Sequence, residues 1–370
     1  MRSFGRRTWR IPVLCAAIAV ALGIGAAAAA ADGRGITALV HMRAADPIAQ
    51  IVDQPFWFVG DAAHYDGVYF YAIARDPLAR GAAHRLIDVA SYRYGHPGYG
   101  WLGWVASGGG QPVAVPYALL LLSLLALAVG SATASVLARD LGLSPWWGLS
   151  VALNPGLLFA VTVDTSETVV VALALLTVLA WMRERWLWAG VAIAAGCFTK
   201  EPLLLVPAAL YAWEAVQLVR GRRPPDLLAR LGALVAGPAL YIAWLEYCGY
   251  VFGVLPLREI NQLVLPPGGW LDTLHIAAAL TQTDMAQIGM VTTALLVSVA
   301  GLFVLGLVRA VRLRGPLDAV FIPLAVLVFC ANWWVLLFPK DLIRTIALPV
   351  VLLPFVIAVG SSGGARPPRA

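Results

Sequence analysis

Long apolar runs alternate with short charged connectors along most of this chain. A helix needs about 20 apolar residues to cross roughly 30 Å of hydrocarbon. Runs that meet or approach that length fall near 11–31, 113–137, 145–162, 167–182, 186–199, 202–219, 231–250, 287–308, 317–338 and 342–360. The runs at 167–182 and 186–199 are below a full span, as tilted, re-entrant or broken helices buried by their neighbours are. The pattern predicts an all-α polytopic membrane protein of about ten transmembrane helices. It forms a single integral membrane domain over 1–370, with no internal repeat and no separate soluble domain.

Two connectors break the rhythm. Residues 32–112 are too long for a simple link and are rich in Trp, Tyr, Asp and His. Residues 251–286 carry the breaker Pro266-Pro267-Gly268-Gly269 and an amphipathic stretch near Leu271–Leu280, of a kind that lies flat at a membrane interface.

Composition agrees with the pattern. Hydrophobic residues make up 61% and charged residues 12%, whereas a soluble domain keeps roughly 25% of its residues charged. The net charge of +6 is not gathered into a basic patch, which argues against nucleic acid as a partner. The basic residues stand between apolar runs, as topology determinants do. Cys15, Cys197, Cys248 and Cys330 all lie inside apolar runs without metal-ligand spacing and read as small core residues.

Charge also sets orientation, because cytoplasmic loops carry an excess of Lys and Arg. With the N-terminus inside, the short inner segments hold 16 of the 26 basic residues. Both termini are then cytoplasmic, and the loops 32–112 and 251–286 are extracytoplasmic. Fourteen of the 20 acids fall on that outer side. The start of the chain also resembles a secretory signal, with an Ala-rich end before Asp32. Its apolar run of about 21 residues exceeds the usual length of that signal, so a retained first helix is favoured. The expected location is the plasma membrane.

Chemistry concentrates in the first outer loop. The stretch from Gly60 to Pro77 holds Asp61, His64, Tyr65, Asp66, Tyr69 and Tyr71. Residues 67–74 read as an aromatic helix capped by Asp66 and stopped by Pro77. On these residues alone, an interfacial helix with Asp66 as an ordinary N-cap is one reading and a functional carboxylate is the other.

Tyr65-Asp66-Gly67-Val68-Tyr69-Phe70-Tyr71-Ala72-Ile73-Ala74 resembles the aromatic-Asp-x-x-aromatic-aromatic-x-x-Ile-Ala stretch of the GT-C superfamily of membrane glycosyltransferases, above all the PIG-V-like mannosyltransferases. Tyr94-Gly95-His96-Pro97-Gly98-Tyr99 is similar to their aromatic-Pro turn before the next helix. Asn154-Pro155-Gly156 through Thr165-Ser166-Glu167 resembles their Asn-Pro helix ending in Ser-Glu. Trp186–Gly190 and Phe198-Thr199-Lys200 resemble a further Trp-x-x-Ala-Gly and Thr-Lys segment. The likeness covers about 55–210. Thr165 stands where these relatives have an aromatic residue, and Glu201-Pro202 follows Lys200 where they often have small or polar residues.

The resemblance implies an inverting transferase. Its donor is a polyprenyl-phosphate-linked sugar, mannose or another hexose or pentose, and its acceptor an extracytoplasmic glycolipid, glycan or protein. Such chemistry needs a carboxylate to take the acceptor's proton and a cation to stabilise the departing phosphate. It also needs a groove for the prenyl chain. Asp66 is the first candidate base and Asp61 the second; a close pair of carboxylates raises one partner's pKa. Lys200, Lys340, Arg344 and Arg258 are candidates for the phosphate, although Lys340 and Arg344 also fit snorkelling to headgroups and pairing with Asp341. His64, Tyr65, Tyr69, His96 and Glu167 are candidates for substrate binding. Glu167 either contacts sugar hydroxyls or pairs with Lys200, and both require the two to be close. His84, His96 and His275 lack ligand spacing, so neither a metal nor another cofactor is expected.

Two other classes stay open. A non-catalytic GT-C-like subunit would share the fold. A lipid-linked-sugar transporter or flippase would show repeats and midplane charges, whereas Glu214 and Glu246 lie near run ends and no repeat is evident.

Overall fold

A computed structural model describes residues 9–52, 55–60, 64–260 and 263–361. Among them the chain is helical throughout, with two isolated β-bridges and no strand. Asp61 lies outside the described residues.

The first apolar run forms α1 (Arg10–Ala31). The first loop holds α2 (Gly67–Arg75), α3 (Ala90–Tyr94) and α4 (Gly98–Ala106), and α5 (Ala114–Asp140) follows. The run 145–162 is interrupted, giving α6 (Leu149–Ala152) and α7 (Pro155–Thr162). The cause is local: Pro155 has no N–H to donate, and it forces Asn154 before it into an extended conformation, with ψ 115°. Then come α8 (Glu167–Met182), α9 (Trp186–Thr199), α10 (Leu205–Val219) and α11 (Leu227–Phe252). The second loop holds α12 (Pro256–Glu259) and α13 (Gly268–Leu280). The chain ends in α14 (Ala286–Ala310), α15 (Pro316–Phe329), α16 (Trp333–Leu336), α17 (Pro339–Thr345) and α18 (Ala347–Ser361).

Among the described residues five stretches, not ten, are individually long and apolar enough to cross a membrane: α1, α5, 201–219, α11 and α14. The pair α17–α18, bent by 54°, makes a sixth if it counts as one span. The apolar helices α8, α9 and α15 have 14 to 16 residues, which extend about 21–24 Å and fall short of the hydrocarbon thickness. Their apolar composition and the five long helices still mark a membrane protein.

The helices α1, α5, α8, α9 and α11 pack in succession as one layer. A second group, α10, α14, α15 and α18, meets that layer where α8 touches α15 and α18 and where α10 touches α11. The helix α13 packs on α14 and α16, with Gly269, Trp270, Thr273 and Ala277 buried, so one of its faces is covered by protein. The first loop also lies against the bundle. Val68 through Ala74 are all buried, so α2 is a core helix and not the interfacial helix that its aromatic pattern allowed. All four cysteines are free, and Cys15, Cys197 and Cys248 are buried.

Candidate active site

Asp66 is fixed by the way α2 begins. Gly67 follows it with so little room that a Cβ there would sit 2.6 Å from the carbonyl oxygen of Val163 and 2.8 Å from that of Val40. Only glycine lets the start of α2 press against both strands of backbone. Asp66 is the residue before the helix, but its side chain makes no capping hydrogen bond. Its carboxylate is used elsewhere: Oδ2 accepts from Arg344 Nη1 at 2.7 Å and Oδ1 from Arg93 Nη1 at 3.2 Å. These guanidinium groups hold the carboxyl well below the ordinary carboxylate range despite its burial.

The same arginine joins a second pair. Lys200 Nζ donates to Glu167 Oε1, and Arg344 Nε lies 3.6 Å from that oxygen. Glu167 stands at the start of α8 and Lys200 just beyond α9, so the turn between these two helices brings the pair together. Arg93 completes the cluster from α3. Its guanidinium carbon lies 3.5 Å over the Tyr69 ring and its Nε is 3.6 Å from Asp88. Arg93 Nε, Arg344 Nε, Glu167 Oε2 and Ser166 Oγ are buried without a hydrogen-bond partner among the described residues.

This cluster forms the polar head of a cavity of about 290 Å³. Asp66, Arg93, Glu167, Lys200, Asp341 and Arg344 line the head. The body is apolar, walled by Val170 and Val171 of α8, Leu324, Leu327 and Val328 of α15, and Ala347, Leu348 and Pro349 of α18. Leu263 and Trp334 flank it, and the bridge between Leu263 and Ala331 ties the second loop to this wall. A smaller space of about 20 Å³ lies behind the charges, where Tyr69, Phe70, His96 and Ser166 join the same five side chains, Asp66, Arg93, Glu167, Lys200 and Arg344. That volume suffices for about one water.

The remaining candidates surround this centre. Tyr65 donates its hydroxyl to Asp341, and its ring lies 4.8 Å from both Lys340 Nζ and the Arg344 guanidinium. Lys340 is exposed and does not line the cavity. Tyr69 donates to Asp88 at 3.0 Å and its hydroxyl lies 3.0 Å from His64 Nε2. The other ring nitrogen of His64 is 2.8 Å from Asp46, so His64 braces the loop away from the cavity. His96 Nδ1 lies 2.8 Å from Glu201 Oε1. Arg258 is exposed on α12 and lines neither space.

Arg93 has no counterpart among the residues singled out from sequence. The one signal was its place immediately before Tyr94-Gly95-His96-Pro97. Asp164 is buried with both oxygens unpartnered, and burial pushes its carboxyl well above the ordinary range. Asp164 lines neither space, so it is no rival to Asp66. Among the described residues no group of three metal-ligating side chains comes together. The chain matches no known family model and no curated protein sequence.

Proposed function

We propose that this chain is a GT-C-type membrane glycosyltransferase, which moves a sugar from a polyprenyl phosphate to a hydroxyl acceptor on the extracytoplasmic face. One observation carries the reading: three carboxylates and three cations, Asp66 among them, gathered at the head of an apolar cavity between apolar helices. An isoprenoid tail suits the apolar body, and a phosphate suits the head. Arg93 and Arg344 both line that head, and guanidinium groups bind phosphate oxygens well. In this reading both termini are cytoplasmic, and α8, α9 and α15 complete the bundle as short spans buried by neighbours.

The reaction is a single displacement. The acceptor oxygen attacks the anomeric carbon, the bond from that carbon to the phosphate oxygen breaks, and the acceptor's proton passes to Asp66. Arg344 and Lys200 stabilise the negative charge that grows on the departing phosphate. Asp66 clamped by two arginines is a poor base. A phosphate that draws Arg344 and Lys200 to itself weakens the clamp and raises the carboxylate's basicity. Donor binding therefore arms the base, and water reaching the empty site meets an inactive one. Glu167 keeps Lys200 and Arg344 in register and offers Oε2 to a sugar hydroxyl.

The test is transfer from a defined polyprenyl-phosphate sugar by purified protein in lipid. Asp66→Asn loses about 10²–10⁴-fold in rate with normal folding and insertion. Full activity in that variant removes Asp66 as the base. A second reading, a transporter of lipid-linked sugars, draws support from the bent pair α17–α18 beside the cavity, since discontinuous helices are common in transporters. Vesicle uptake without a transferred product would favour it.

A further inference from the structure

Asn154-Pro155-Gly156 is a motif for which the reaction has no use, since none of its three residues lines either space. Its geometry is nonetheless demanding. Asn154 is buried, and its side chain accepts from Gly156 N at 3.0 Å and Leu157 N at 3.1 Å. It starts α7, with Pro155 in the first turn. Gly156 then faces α17. A Cβ at this position would clash with the Ile343 carbonyl oxygen and would sit 2.6 Å from the carbonyl carbon and 3.0 Å from Arg344 N. All three are backbone atoms, which cannot turn aside as a side chain can.

The segment so closely approached carries Arg344. The first loop also holds α17 through Tyr65, which bonds Asp341 and lies against Lys340 and Arg344. Tyr65 itself meets Phe159 of α7 edge-on at 5.5 Å. The short helix α17 is thus seated between α7 and the first loop, and the bend before α18 leaves it free of a continuous helix that would fix its depth.

We infer that the Asn154-Pro155-Gly156 turn is a positioning element that sets the depth of α17, and so holds Arg344 within reach of Asp66 and Glu167. The role of Arg344 in catalysis rests on the transferase reading; the seat rests on geometry alone. Arg344 reaches Asp66 at 2.7 Å and Glu167 at 3.6 Å. A retreat of α17 by about 1 Å takes the first contact out of hydrogen-bond range. A misplacement of that size costs on the order of 10²-fold where the group acts on a transition state.

The experiment is a double-mutant cycle read without any substrate. Asp66→Asn, Arg344→Gln and the double variant of the full chain in detergent are compared by thermal unfolding, first in the native background and then in Gly156→Ala. Non-additivity of about 3 °C in Tm is expected in the native background, and about 1 °C or less with Gly156→Ala. Equal coupling in both backgrounds overturns the inference. If Gly156→Ala does not fold, Asn154→Ala and Asn154→Asp take its place: the coupling weakens in the first and is kept in the second, which retains the capping acceptor. Equal coupling in those two also overturns it. Under the transfer assay, Gly156→Ala lowers kcat by about 10²-fold with KM little changed. A native chain that transfers no sugar defeats the transferase reading, while the unfolding cycle still decides the seat.

Discussion

Two arginine-centred clusters stand at opposite ends of α11. Arg230, near its start, donates to Glu214 at 2.8 Å and Asp226 at 3.0 Å, lies 3.7 Å from Glu184, and covers the Trp186 ring at 4.3 Å. About 21 Å along the same helix, Trp244 donates to the carbonyl of Tyr94 beside Arg93, and the Asp66 cluster begins. Both clusters bury a glutamate against a guanidinium. At Arg230, however, Nε and both Nη atoms face acids, and the residue lines no cavity among those described. At Asp66 two arginines and a lysine share their acids, and the group opens on 290 Å³ of mostly apolar space. The first arrangement closes a helix junction. The second keeps capacity for a ligand.

The comparison breaks most sharply on removal of the central arginine. Arg230→Met leaves Glu214, which is 2% exposed, without its cation. A buried charge left alone in this way costs about 3 kcal/mol, and the expected readout is a lower midpoint in thermal or denaturant unfolding. Activity per folded molecule stays unchanged. A variant as stable as the native chain would show that the clasp is incidental.

The same removal at the other cluster should act on chemistry instead. Arg344→Gln leaves Asp66 with Arg93 and Glu167 with Lys200, so neither acid is stranded, and stability falls by about 1 kcal/mol. Transfer falls by about 10²–10³-fold, the usual cost of losing one donor to a developing anion. Rates from the purified variant, normalised to folded protein, check this. A large stability loss with normal turnover would make the two clusters alike.

Acid titration sharpens the contrast further. The folded pKa of Asp66 is depressed, so its contribution is fully present above the unfolded value near 3.9 and is lost only as pH falls through the lower folded value. Unfolding midpoints measured from pH 7 to 3 should therefore show no Asp66-dependent loss until below about pH 4. In Arg344→Gln the carboxyl keeps one guanidinium instead of two, its pKa rises toward the ordinary value, and this part of the acid-induced loss shrinks. An unchanged acid limb in that variant would mean that Arg93 alone sets the Asp66 carboxylate.

How legible these clusters were follows from how each is built. Membrane runs are written locally, because lipid demands apolar length, and α1, α5, α11 and α14 appear where the pattern puts them. The break at 154–155 was not read from the pattern, which ran 145–162 together, because apolar length hides a helix start set by Asn154 and Pro155. Asp66, Glu167, Lys200 and Arg344 were found from sequence as outer charges beside motifs, and the structure brings them to one cavity. It leaves Lys340 and Arg258 exposed outside it. Arg93 was missed because its place before Tyr94-Gly95-His96-Pro97 says nothing of a partner; only the fold brings it to Asp66. The capping expectation for Asp66 failed for the same reason. A carboxylate before a helix serves the nearby N–H groups unless a stronger donor arrives, and two guanidinium groups from distant segments did.

The smallest effect concerns the ring that joins the loop to α17. Tyr65 contributes a hydroxyl to Asp341 and a face to Lys340 and Arg344. Tyr65→Phe removes only the hydroxyl. Asp341 still touches the cavity head, where a ligand or solvent can meet it, so the loss is about 0.5–1 kcal/mol of stability and less than about threefold in rate. Tyr65→Leu also removes the aromatic face. A cation over a ring contributes about 0.5–1 kcal/mol at such a half-buried site, and without it Arg344 has only its two acids to hold it. If the ring matters through Arg344, Tyr65→Leu shows a further drop in kcat with KM nearly constant, and the additional loss disappears when Arg344 is already Gln. If Leu and Phe behave alike, the aromatic face plays no part, and the depth of α17 is set from the α7 side alone.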